Sequence, residues 1–591
     1  MDVLHETEKA ILTGHAWRND GKWILAERLH PIIQARQASE VLPAIEELTV
    51  AIQKGNTAIG FLAYEAAAAF GLPVHSSLYP EFPYLWFGII AEHDLHFVAK
   101  NEYEFTPCRL PPIQFSLSQD AYQQTIETIR QKIAAGETYQ VNFTQRADFE
   151  FGESPEDFFH CMELSQPVPY SAFLNAGTWS VLSLSPELFL RKRGNLLESR
   201  PMKGTAKRGR FPSEDRKLAE ELKHNEKNQS ENLMILDMMR NDFGKICRFG
   251  SVIASDLFKI ERYRTLFQMT STVRGQLIAD TPLSAIFAAT FPAASITGAP
   301  KHRTMQIIRD LEKSPRGVYC GALGILYPNG DFDFNVAIRT LYRQQNQYRL
   351  GIGGGILWDS TSTEEYEENL TKIQFIHSTP VQFALLETLL LDEHGHYRFF
   401  VDHLDRLEMS ADYWNFPIDR SKIICLLQQY ARRQAGPCAV RLQLSENGEM
   451  VITHRSVTIP PPTVRVIVSD KPIDSANPFL FHKTTNRKMY DRERRTALDN
   501  DFFEVFFVNE KGHVTEGSIT NFFYRLRHEW FTPPIEDGLL NGIWRQQFIK
   551  EVRARERSIE KQELMTSDEL VIGNSVMGKA QIHQLTTESH R

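Results

Sequence analysis

The chain has 591 residues, of which 42% are apolar and 24% charged, and its formal net charge is −8. That length exceeds what one hydrophobic core organises, so two or more domains are expected. The acidic balance argues against a nucleic-acid partner, and no apolar run is long enough to predict a membrane span. The first residues lack the basic and apolar segments of a secretory signal, so a cytoplasmic location is expected.

Six scattered cysteines form no C-x-x-C pair, so neither a zinc site nor a disulfide framework is predicted. Strand-like and helix-like patterns alternate irregularly up to about residue 375, and a new series begins at "VQFALLETLLL". The stretch "FIHSTP", 375–380, follows a helical pattern and ends in proline, which is typical of a helix stop and a short junction. We therefore predict one domain over 1–377 and another over 381–591.

Two short motifs of the first half carry residues of interest, "SLSPELFL" at 183–190 and "SRPMKGT" at 199–205. Glu187 stands among apolar residues, where lost solvation would raise its pKa and make it a proton donor near neutral pH. The pattern alone favours an edge-strand glutamate that faces water. Lys203 is by residue type a surface charge, because lysine is rarely buried without a partner.

Two predicted helices carry carboxylates. "SENLMILDMMRND", 230–242, opens with Ser230 as a cap, which puts Glu231 in the first turn. The helix of "STSTEEYEENLTKI", 360–373, places three charged residues on one face at i, i+3 and i+7: Glu365, Glu368 and Lys372. Acidic helix faces are usually solvated, but two such helices would together supply the one or two carboxylates that hold Mg²⁺.

The segment "GIGGGILWDS", 351–360, has four glycines in five positions. Glycine there permits positive φ and a close approach of backbone N–H groups to an anion. The spacing matches no dinucleotide fingerprint, so phosphate binding is not predicted.

These segments, together with "GETYQVNFTQR", "SITGAPKHR" and "AIRT", follow one another in the order seen in the chorismate-utilising enzymes. The chain resembles that family over residues 110–375, and the family includes anthranilate synthase, isochorismate synthase and aminodeoxychorismate synthase component I. The resemblance implies an α+β fold in which β-sheets are sandwiched together and flanked by helices. Lys203, in the form P-x-K-G-T, resembles the aminodeoxychorismate branch, and Gln140 stands where the isochorismate branch keeps a lysine.

What the resemblance implies is a Mg²⁺-dependent amination of chorismate, with Lys203 as the covalent nucleophile and Glu187 as the proton donor. Glu231 and Glu368 look like the Mg²⁺ ligands, with Glu365 close by. The residues implied to bind or line the substrate are Arg339, Lys372, Thr297, Gly298, Gly353, Gly354 and Gly355. Gln268, in "FQMTST", replaces a histidine of many relatives and leaves that histidine's role open.

The second half resembles the fold-type IV pyridoxal phosphate enzymes over 381–591. The resemblance is carried by "FFVDHLDRLEMSADYWNF", "FLFHKTTNRKMYDRERR" and "EVFFVNEKGHVTEGSITNFFY". It implies a two-subdomain α/β domain whose cofactor-binding residues are Lys483, Glu516, Arg406, Gly542, Ile543 and Ser575. The family's opening strands are missing, so Glu387 and Thr388 are only candidates for substrate contact.

Together the two halves imply 4-aminobenzoate synthesis, an amination of chorismate followed by a pyridoxal-phosphate-dependent elimination of pyruvate by Lys483. Because the preceding step sits in the same chain, a lyase is favoured over a transaminase in the second half. No amidotransferase signature is found, so ammonia would come from a separate glutamine amidotransferase subunit or from solution. Two alternatives stay open: an anthranilate synthase component with a transaminase tail, and a non-catalytic docking module as second half. Whether the second half forms a homodimer, as its relatives do, also stays open.

Overall fold

Alternating apolar residues in the first half form antiparallel strands in the computed structural model, which describes residues 8–17, 22–75, 82–98, 112–377, 381–434, 436–457 and 459–587. The structure separates into two units. The first comprises Met1–Lys207 and Ala219–Pro380, and the second comprises Arg208–Leu218 and Val381–Arg591. A segment of the first half, Arg208–Leu218, groups with the second unit, which differs from the predicted division at 377–381.

The strands of the first unit are β1 (Lys9–Leu12), β2 (Trp23–Ala26), β3 (Ile32–Ala35), β4 (Thr57–Leu62), β5 (Leu85–Ile90), β6 (Leu95–Val98), β7 (Gln114–Phe115), β8 (Gln140–Glu150), β9 (Tyr170–Asn175), β10 (Trp179–Ser185), β11 (Leu188–Arg193), β12 (Leu196–Arg200), β13 (Met202–Lys207), β14 (Ile253–Arg262), β15 (Leu266–Gln276), β16 (Gly298–Ala299), β17 (Ala322–Leu326), β18 (Phe332–Val336), β19 (Thr340–Gln344) and β20 (Gln347–Ile356). The helices up to residue 377 are α1 (Ala38–Gln53), α2 (Gln119–Ala134), α3 (Pro155–Ser165), α4 (Pro212–His224), α5 (Glu226–Gly244), α6 (Leu283–Thr290), α7 (Lys301–Leu311) and α8 (Ser362–His377).

Among the described residues, the first unit's strands form two ten-stranded antiparallel sheets. One has the order β16-β8-β20-β19-β10-β9-β1-β2-β6, with β7 beside β8. The other has the order β13-β15-β12-β11-β18-β17-β4-β5-β3, with β14 beside β15. The sequence brings β8, β20 and β16 together at one edge, and that edge carries the glycine-rich segment.

The first unit's core fills the space between the two sheets and covers their outer faces. Phe61 of β4 and Val181 of β10 belong to one buried cluster that joins the sheets. Ile45 of α1 and Ile235 of α5 pack on the outer face of the second sheet, and Ile373 of α8 packs on the first. Each such buried side chain contributes about 1.5–3 kcal/mol. The predicted architecture of sandwiched sheets flanked by helices is confirmed.

The strands of the second unit are β21 (Leu385–Leu391), β22 (Cys438–Leu444), β23 (Met450–Ser456), β24 (Thr463–Ile473), β25 (Glu504–Asn509), β26 (Val514–Gly517), β27 (Asn521–Leu526), β28 (Glu529–Thr532), β29 (Arg555–Glu556), β30 (Glu569–Asn574) and β31 (Gly578–Thr587). The helices after residue 380 are α9 (Phe400–Trp414), α10 (Arg420–Ala431), α11 (Lys488–Asp499), α12 (Ile543–Val552) and α13 (Lys561–Leu564).

The second unit has two subdomains, as predicted. The three-stranded sheet β21-β22-β23 packs against α9 and α10 through Leu407, Leu427 and Val440. The eight-stranded sheet has the order β26-β25-β24-β31-β30-β27-β28-β29, with β24 parallel to both β25 and β31. Within the described ranges, no helix is both long and apolar enough to span a membrane.

Candidate functional site

Lys203 lies near the start of β13, where the pairing with β15 shifts register. Gly204 follows with a φ of +92°, and a Cβ there would lie 3.1 Å from the Cβ of Asn228 on α5. Glycine is therefore required to bring this strand against the helix. On the facing strand, the Gln268 Oε1 accepts a hydrogen bond of 3.1 Å from the Thr205 hydroxyl. Gln268 is thus tied to the same bulged segment as Lys203.

Lys203 is a half-buried residue rather than one free on the surface. Burial lowers its pKa, and the charge of Lys372 lowers it further, while the carboxylates of Glu231 and Glu187 raise it. A Cβ on Gly355 would lie only 2.7 Å from the Lys203 Nζ, so the amine lies directly against the glycine-rich strand. A lysine with a lowered pKa has more of the neutral amine that acts as a nucleophile.

Glu187 lies between β10 and β11, directly after Pro186, and not within a strand as the pattern predicts. Its side chain is buried, with 4% of the residue exposed, so the water-facing alternative is wrong. The Ser295 hydroxyl donates a hydrogen bond of 2.6 Å to the Glu187 Oε1. Burial raises the pKa of Glu187 to about 7, although that hydrogen bond and the Lys203 charge oppose the rise. Glu187 is therefore an acid that still carries its proton close to neutral pH.

The first carboxylate helix, α5, starts earlier than the sequence pattern predicts. The Asn225 side chain accepts a hydrogen bond of 3.0 Å from the Asn228 N–H and caps the helix, which begins at Glu226. Ser230 is not the cap, because it lies within the helix and its hydroxyl donates to the Glu226 carbonyl at 2.8 Å. Glu231 consequently lies in the second turn, beyond the first turn where the helix dipole acts most strongly.

The second carboxylate helix, α8, has the predicted face of three charged residues. Lys372 Nζ donates to the Glu368 Oε1 at 2.6 Å and to the Gly353 carbonyl at 2.7 Å. The Ser360 hydroxyl donates to the Glu365 Oε1 at 2.7 Å. The Lys372 charge lowers the pKa of Glu368, whereas burial raises the pKa of Glu365. This face therefore borders the glycine-rich strand β20.

Glu231, Glu365 and Glu368 do not form a preassembled metal site. Across the described part of the chain, no group of three or more His, Cys, Asp and Glu side chains lies close enough together to hold a metal ion. Burial raises the pKa of Glu231, and the charge of Glu368 raises it further, so the two carboxylates share one electrostatic environment. This donor set fits Mg²⁺, which is usually bound by one or two carboxylates with substrate and water completing the octahedron.

The glycines of β20 serve a close approach and not a left-handed backbone. Gly353 and Gly355 have no positive φ, contrary to the sequence-based expectation. A Cβ on Gly353 would lie 2.1 Å from the Phe143 carbonyl oxygen, and one on Gly355 would lie 2.4 Å from the Gln140 Nε2. The Gln140 amide is fully buried, and neither its nitrogen nor its oxygen bonds to another described residue. This unpaired amide beside Lys203 is a polar group that a bound molecule would satisfy.

Three further residues are predicted to contact the substrate: Thr297, Gly298 and Arg339. Gly298 pairs with Val141 of β8, so Thr297 and Gly298 lie next to the strand that carries Gln140. The backbone of Arg339 is left-handed, with a φ of +49°, which is uncommon for a residue with a side chain. Its guanidinium is half-buried, donates to the side chain of Gln166 at 3.1 Å, and has a pKa lowered by burial.

A cavity of about 890 Å³ lies in the second unit. It is lined by all six residues predicted to bind the cofactor: Lys483, Glu516, Arg406, Gly542, Ile543 and Ser575. Of the two candidate substrate contacts, Thr388 lines the cavity. Glu387 instead binds Arg406, since the Arg406 Nε and Nη2 donate to its two oxygens at 2.8 and 2.7 Å.

The charged groups of this cavity have strongly shifted pKa values. Burial, together with Arg406 and Arg487, lowers the pKa of Lys483 to about 8. Burial raises the pKa of Glu516 to about 8, although the Leu540 N–H donates to its Oε2 at 3.1 Å. An amine and an acid with such values both exchange protons near neutral pH.

The N-terminus of α12 opens on the same cavity. Gly542 precedes the first helical residue, Ile543, and a Cβ on Gly542 would lie 2.0 Å from the Asn521 Oδ1. The unsatisfied N–H groups of a helix N-terminus bind phosphate. Ser575, directly after β30, and Arg406 add further donors. The lysine, the acid and this phosphate-binding end are the groups that a pyridoxal phosphate site needs, so the residues fit that cofactor.

Each half of the chain matches a known protein family. The family model of the chorismate binding enzyme matches residues 6–378, and the model of the amino-transferase class IV matches residues 384–585. The chain is 41% identical over 287 residues to an aminodeoxychorismate synthase of Streptomyces griseus, a match that covers 48% of this chain and 40% of that protein. It is 39% identical over 255 residues to aminodeoxychorismate synthase component 1 of Bacillus subtilis, covering 43% of this chain and 54% of that protein.

The chain spans about half the length of the curated relatives it matches. Among solved structures, anthranilate synthase component I of Streptococcus pneumoniae is similar, with a TM-score of 0.50 and 25% identity. That match covers 62% of this chain and 90% of the other. A domain of the class IV aminotransferases implies pyridoxal phosphate as its cofactor. The chain therefore belongs to the chorismate binding enzyme family, and a class IV amino-transferase domain follows the chorismate-binding part.

Proposed function

We propose that the chain makes 4-aminobenzoate in two steps, an amination of chorismate in the domain over 1–377 and an elimination of pyruvate in the domain over 381–591. The observation that carries this proposal is the environment of Lys203 and Glu187. The first is an amine whose pKa burial lowers, and the second is a buried carboxyl with a pKa of about 7. A nucleophile and an acid of this kind are what the displacement of a ring hydroxyl requires.

In the first step, the neutral Lys203 amine bonds to C2 of chorismate, and the ring double bonds shift as the C4 hydroxyl leaves. Glu187 donates the proton with which that hydroxyl departs as water. Ammonia then bonds to C4, the double bonds shift back, and the bond between C2 and Lys203 breaks. The ionised Glu187 accepts the surplus proton of the new ammonium group, which restores both residues and gives 4-amino-4-deoxychorismate.

The substrate is a dicarboxylate, and the site offers cations for it. Arg339 and Lys372 are proposed to bind its carboxylates. Thr297, Gly298 and the backbone of 353–355 are proposed to line the site. Glu231 and Glu368 would hold Mg²⁺, with Glu365 close by, and the bound ion would supply positive charge beside a substrate carboxylate. Lys372 already pairs with Glu368, so binding of the substrate or ion would exchange that ion pair for new partners.

In the second unit, pyridoxal phosphate is proposed to occupy the cavity. Lys483 would anchor it covalently, Glu516 would face its ring nitrogen, and the phosphate would take donors from Arg406, Gly542, Ile543 and Ser575. The bound cofactor supplies an electron sink. Lys483 accepts the proton from C4 of the aminated ring, the C3–O bond breaks, and the departing enolpyruvate receives a proton from Lys483 and leaves as pyruvate. The ring becomes aromatic, which drives the step. A lyase is favoured over a transaminase because the preceding step is proposed for the same chain.

Mass spectrometry of the product from chorismate, ammonium and Mg²⁺ tests the first step. We expect 4-amino-4-deoxychorismate without added pyridoxal phosphate, and 4-aminobenzoate with pyruvate when it is present. Lys203→Ala should abolish amination, whereas the control Lys207→Ala, at the exposed end of the same strand, should not. Anthranilate as the product would contradict the proposal. Replacing ammonium by glutamine should give no product unless a separate glutamine amidotransferase subunit is added.

The visible absorbance of the bound cofactor tests the second site. Wild-type protein incubated with pyridoxal phosphate should acquire that absorbance, and Lys483→Ala should lose it. The control Lys488→Ala replaces an exposed lysine near the same cavity and should keep the absorbance. Wild-type protein that stays colourless would favour a non-catalytic second half.

A further inference from the structure

Ser295 holds the carboxyl group of Glu187. It lies in the short 3₁₀ turn Ala294–Ile296, directly before Thr297 and Gly298. Its side chain is buried, and its hydroxyl donates to the Glu187 Oε1 at 2.6 Å. Among the described residues, this is the one hydrogen bond that the Ser295 hydroxyl forms. Ser295 is therefore a donor for the residue that is proposed to protonate the leaving group.

The main chain of this turn is fixed by a buried guanidinium group. Arg316 donates from Nη1 to the Ile296 carbonyl at 2.8 Å and from Nη2 to the Asn142 carbonyl of β8 at 2.7 Å. Glu312 accepts from the Nη2 and Nε of Arg316 at 2.6 and 3.1 Å, and both side chains are almost fully buried. A buried polar network in which every member is bonded is rigid. Ser295, next to Ile296, is thus held by a fixed support.

The main chain of Glu187 is fixed as well. Its N–H donates to the Ser185 hydroxyl at 3.2 Å, and its carbonyl accepts from the Val336 N–H at 3.0 Å. The Met202 N–H, one residue before Lys203, also hydrogen-bonds to the Glu187 carboxyl group and lowers its pKa. The carboxyl group is therefore held between the turn that carries Ser295 and the strand that carries the proposed nucleophile.

The direction of the Ser295 hydrogen bond determines which carboxyl oxygen carries the proton. A neutral carboxyl group has one O–H donor, and its other oxygen accepts hydrogen bonds. Since the Ser295 hydroxyl donates to Oε1, the proton of neutral Glu187 belongs on Oε2. We infer that Ser295 is a positioning residue, which orients the Glu187 carboxyl group so that Oε2 presents its proton to the hydroxyl that leaves the substrate. This inference rests on the proposed amination and deepens it.

Two titratable side chains face Glu187. Lys203 lies on β13, and its positive charge lowers the pKa of Glu187. The Tyr263 hydroxyl lies 3.5 Å from the Pro186 carbonyl oxygen, and it stays protonated because burial raises its pKa far above the ordinary value. The turn Ala294–Ile296 contributes no charged side chain. A neutral substitution in that turn therefore leaves every charge around Glu187 in place.

The pH dependence of amination tests this role. The Ser295 hydrogen bond stabilises the ionised form of Glu187, so Ser295→Ala should raise the pKa of Glu187 above about 7. With ammonia in excess, we expect the rate at pH 6 to fall by about tenfold, because the proton is less well placed. The midpoint of the alkaline limb should nevertheless move up by about one pH unit. A purely structural defect would lower the rate at every pH and leave that midpoint unchanged.

Two further substitutions separate the hydroxyl of Ser295 from its volume. Ser295→Cys keeps the volume but offers a weaker donor, so its midpoint should move in the same direction as that of Ser295→Ala. Ser295→Thr keeps the hydroxyl and should keep the wild-type midpoint. Ser180→Ala is the matched control. It removes another fully buried hydroxyl, which donates to the Asn175 Oδ1 at 3.1 Å, and should change neither the rate nor the midpoint.

Urea unfolding of the first unit in the intact chain gives a readout that needs no substrate. Because folding raises the pKa of Glu187 from 4.5 to about 7, the wild type should lose stability over that range and then level off. Ser295→Ala should go on losing stability to about pH 8.

An alkaline midpoint that stays at the wild-type value in both Ser295→Ala and Ser295→Cys would overturn the inference. A shifted unfolding profile in a protein that does not aminate chorismate would uphold the control of Glu187 by Ser295 and reject the proposed amination. Normal amination with unmoved midpoints and identical unfolding profiles would do the reverse.

Discussion

Two buried glutamates show how the partners of a side chain set its chemistry. Glu187 and Glu387 are both almost fully buried, at 4% and 1% exposure. Burial raises the pKa of each, yet Glu187 reaches about 7 and Glu387 falls to about 2. Glu387 differs because Arg406 and His403 both bind its carboxylate, at 2.7 and 2.6 Å. One glutamate therefore remains a proton donor, and the other is a fixed anion that orients an arginine.

Proton donation by Glu187 can be tested by substitution and by pH. Glu187→Gln should lower the rate of amination by at least 100-fold, because an amide cannot protonate the leaving hydroxyl. In the wild type, the rate should fall as pH rises above about 7, where Glu187 loses its proton. A pH profile of chorismate consumption with ammonia held in excess measures both effects. A variant with near-normal rate, or a wild-type profile that is flat between pH 6 and 9, would contradict the assignment of Glu187.

The same residue should also affect stability. Its pKa is raised from 4.5 to about 7 on folding, so its neutral form is favoured in the folded state. The folded protein therefore loses stability as pH rises from about 4.5 through 7, by at most about 3 kcal/mol. Glu187→Gln should remove this loss, which makes the variant more stable than wild type at pH 8 and equal to it at pH 4.5. Urea unfolding of the first unit at both pH values checks the sign, and a variant that is less stable at pH 8 would refute it.

The sequence predicts the charged face of α8 and the glycines of β20, but it does not predict where α5 begins or which side chains crowd β20. The spacing of Glu365 and Glu368 identifies a helix face, and the structure places that face beside the glycine-rich strand. The predicted start of α5 is wrong by five residues, because Asn225 and Ser230 both have capping side chains and the local pattern does not rank them. The need for glycine in β20 was predicted, but its cause was not. The crowding around Gly355 comes from Gln140 and Lys203, which are distant in sequence.

A substitution in that strand tests the crowding. A Cβ on Gly355 would lie 2.4 Å from the Gln140 Nε2 and 2.7 Å from the Lys203 Nζ, so Gly355→Ala should displace both side chains. We expect amination to fall by at least tenfold, a loss that displacement of Lys203, the proposed nucleophile, explains, while cofactor absorbance of the second unit stays normal. Gly152→Ala is the control, since a Cβ there meets no atom within 4 Å. Equal activity in both variants would show that the strand tolerates a side chain.

For the whole molecule, the chain contributes to the second unit twice, once through Arg208–Leu218 and again after Pro380. No local pattern predicts this, because the first segment is polar and its partners lie some 200 residues further along the chain. The Tyr413 hydroxyl donates to the Gly209 carbonyl at 2.7 Å, and the guanidinium of Arg208 stacks on the Tyr413 ring at 4.3 Å. The Tyr413 ring in turn lies 4.4 Å from that of His482, the neighbour of Lys483. A protein cut at residue 380 would therefore lack part of the packing behind Lys483, the residue proposed to bind the cofactor.

A buried ion pair within Arg208–Leu218 makes this testable in the intact chain. Arg208 donates to both oxygens of Asp215 at 2.8 Å, and the two side chains are only 4% and 5% exposed. Asp215→Ala should destabilise the second unit by about 3 kcal/mol, because it leaves a buried guanidinium without its counter-charge. Glu214→Ala, which removes a more exposed pair with Arg210, should cost less than about 1 kcal/mol. Heating the holoenzyme while following cofactor absorbance separates the two variants. Equal midpoints would mean that the segment packs on the second unit without stabilising it, whereas a lower midpoint for Asp215→Ala alone would show that residues of the first half hold the second unit's active conformation together.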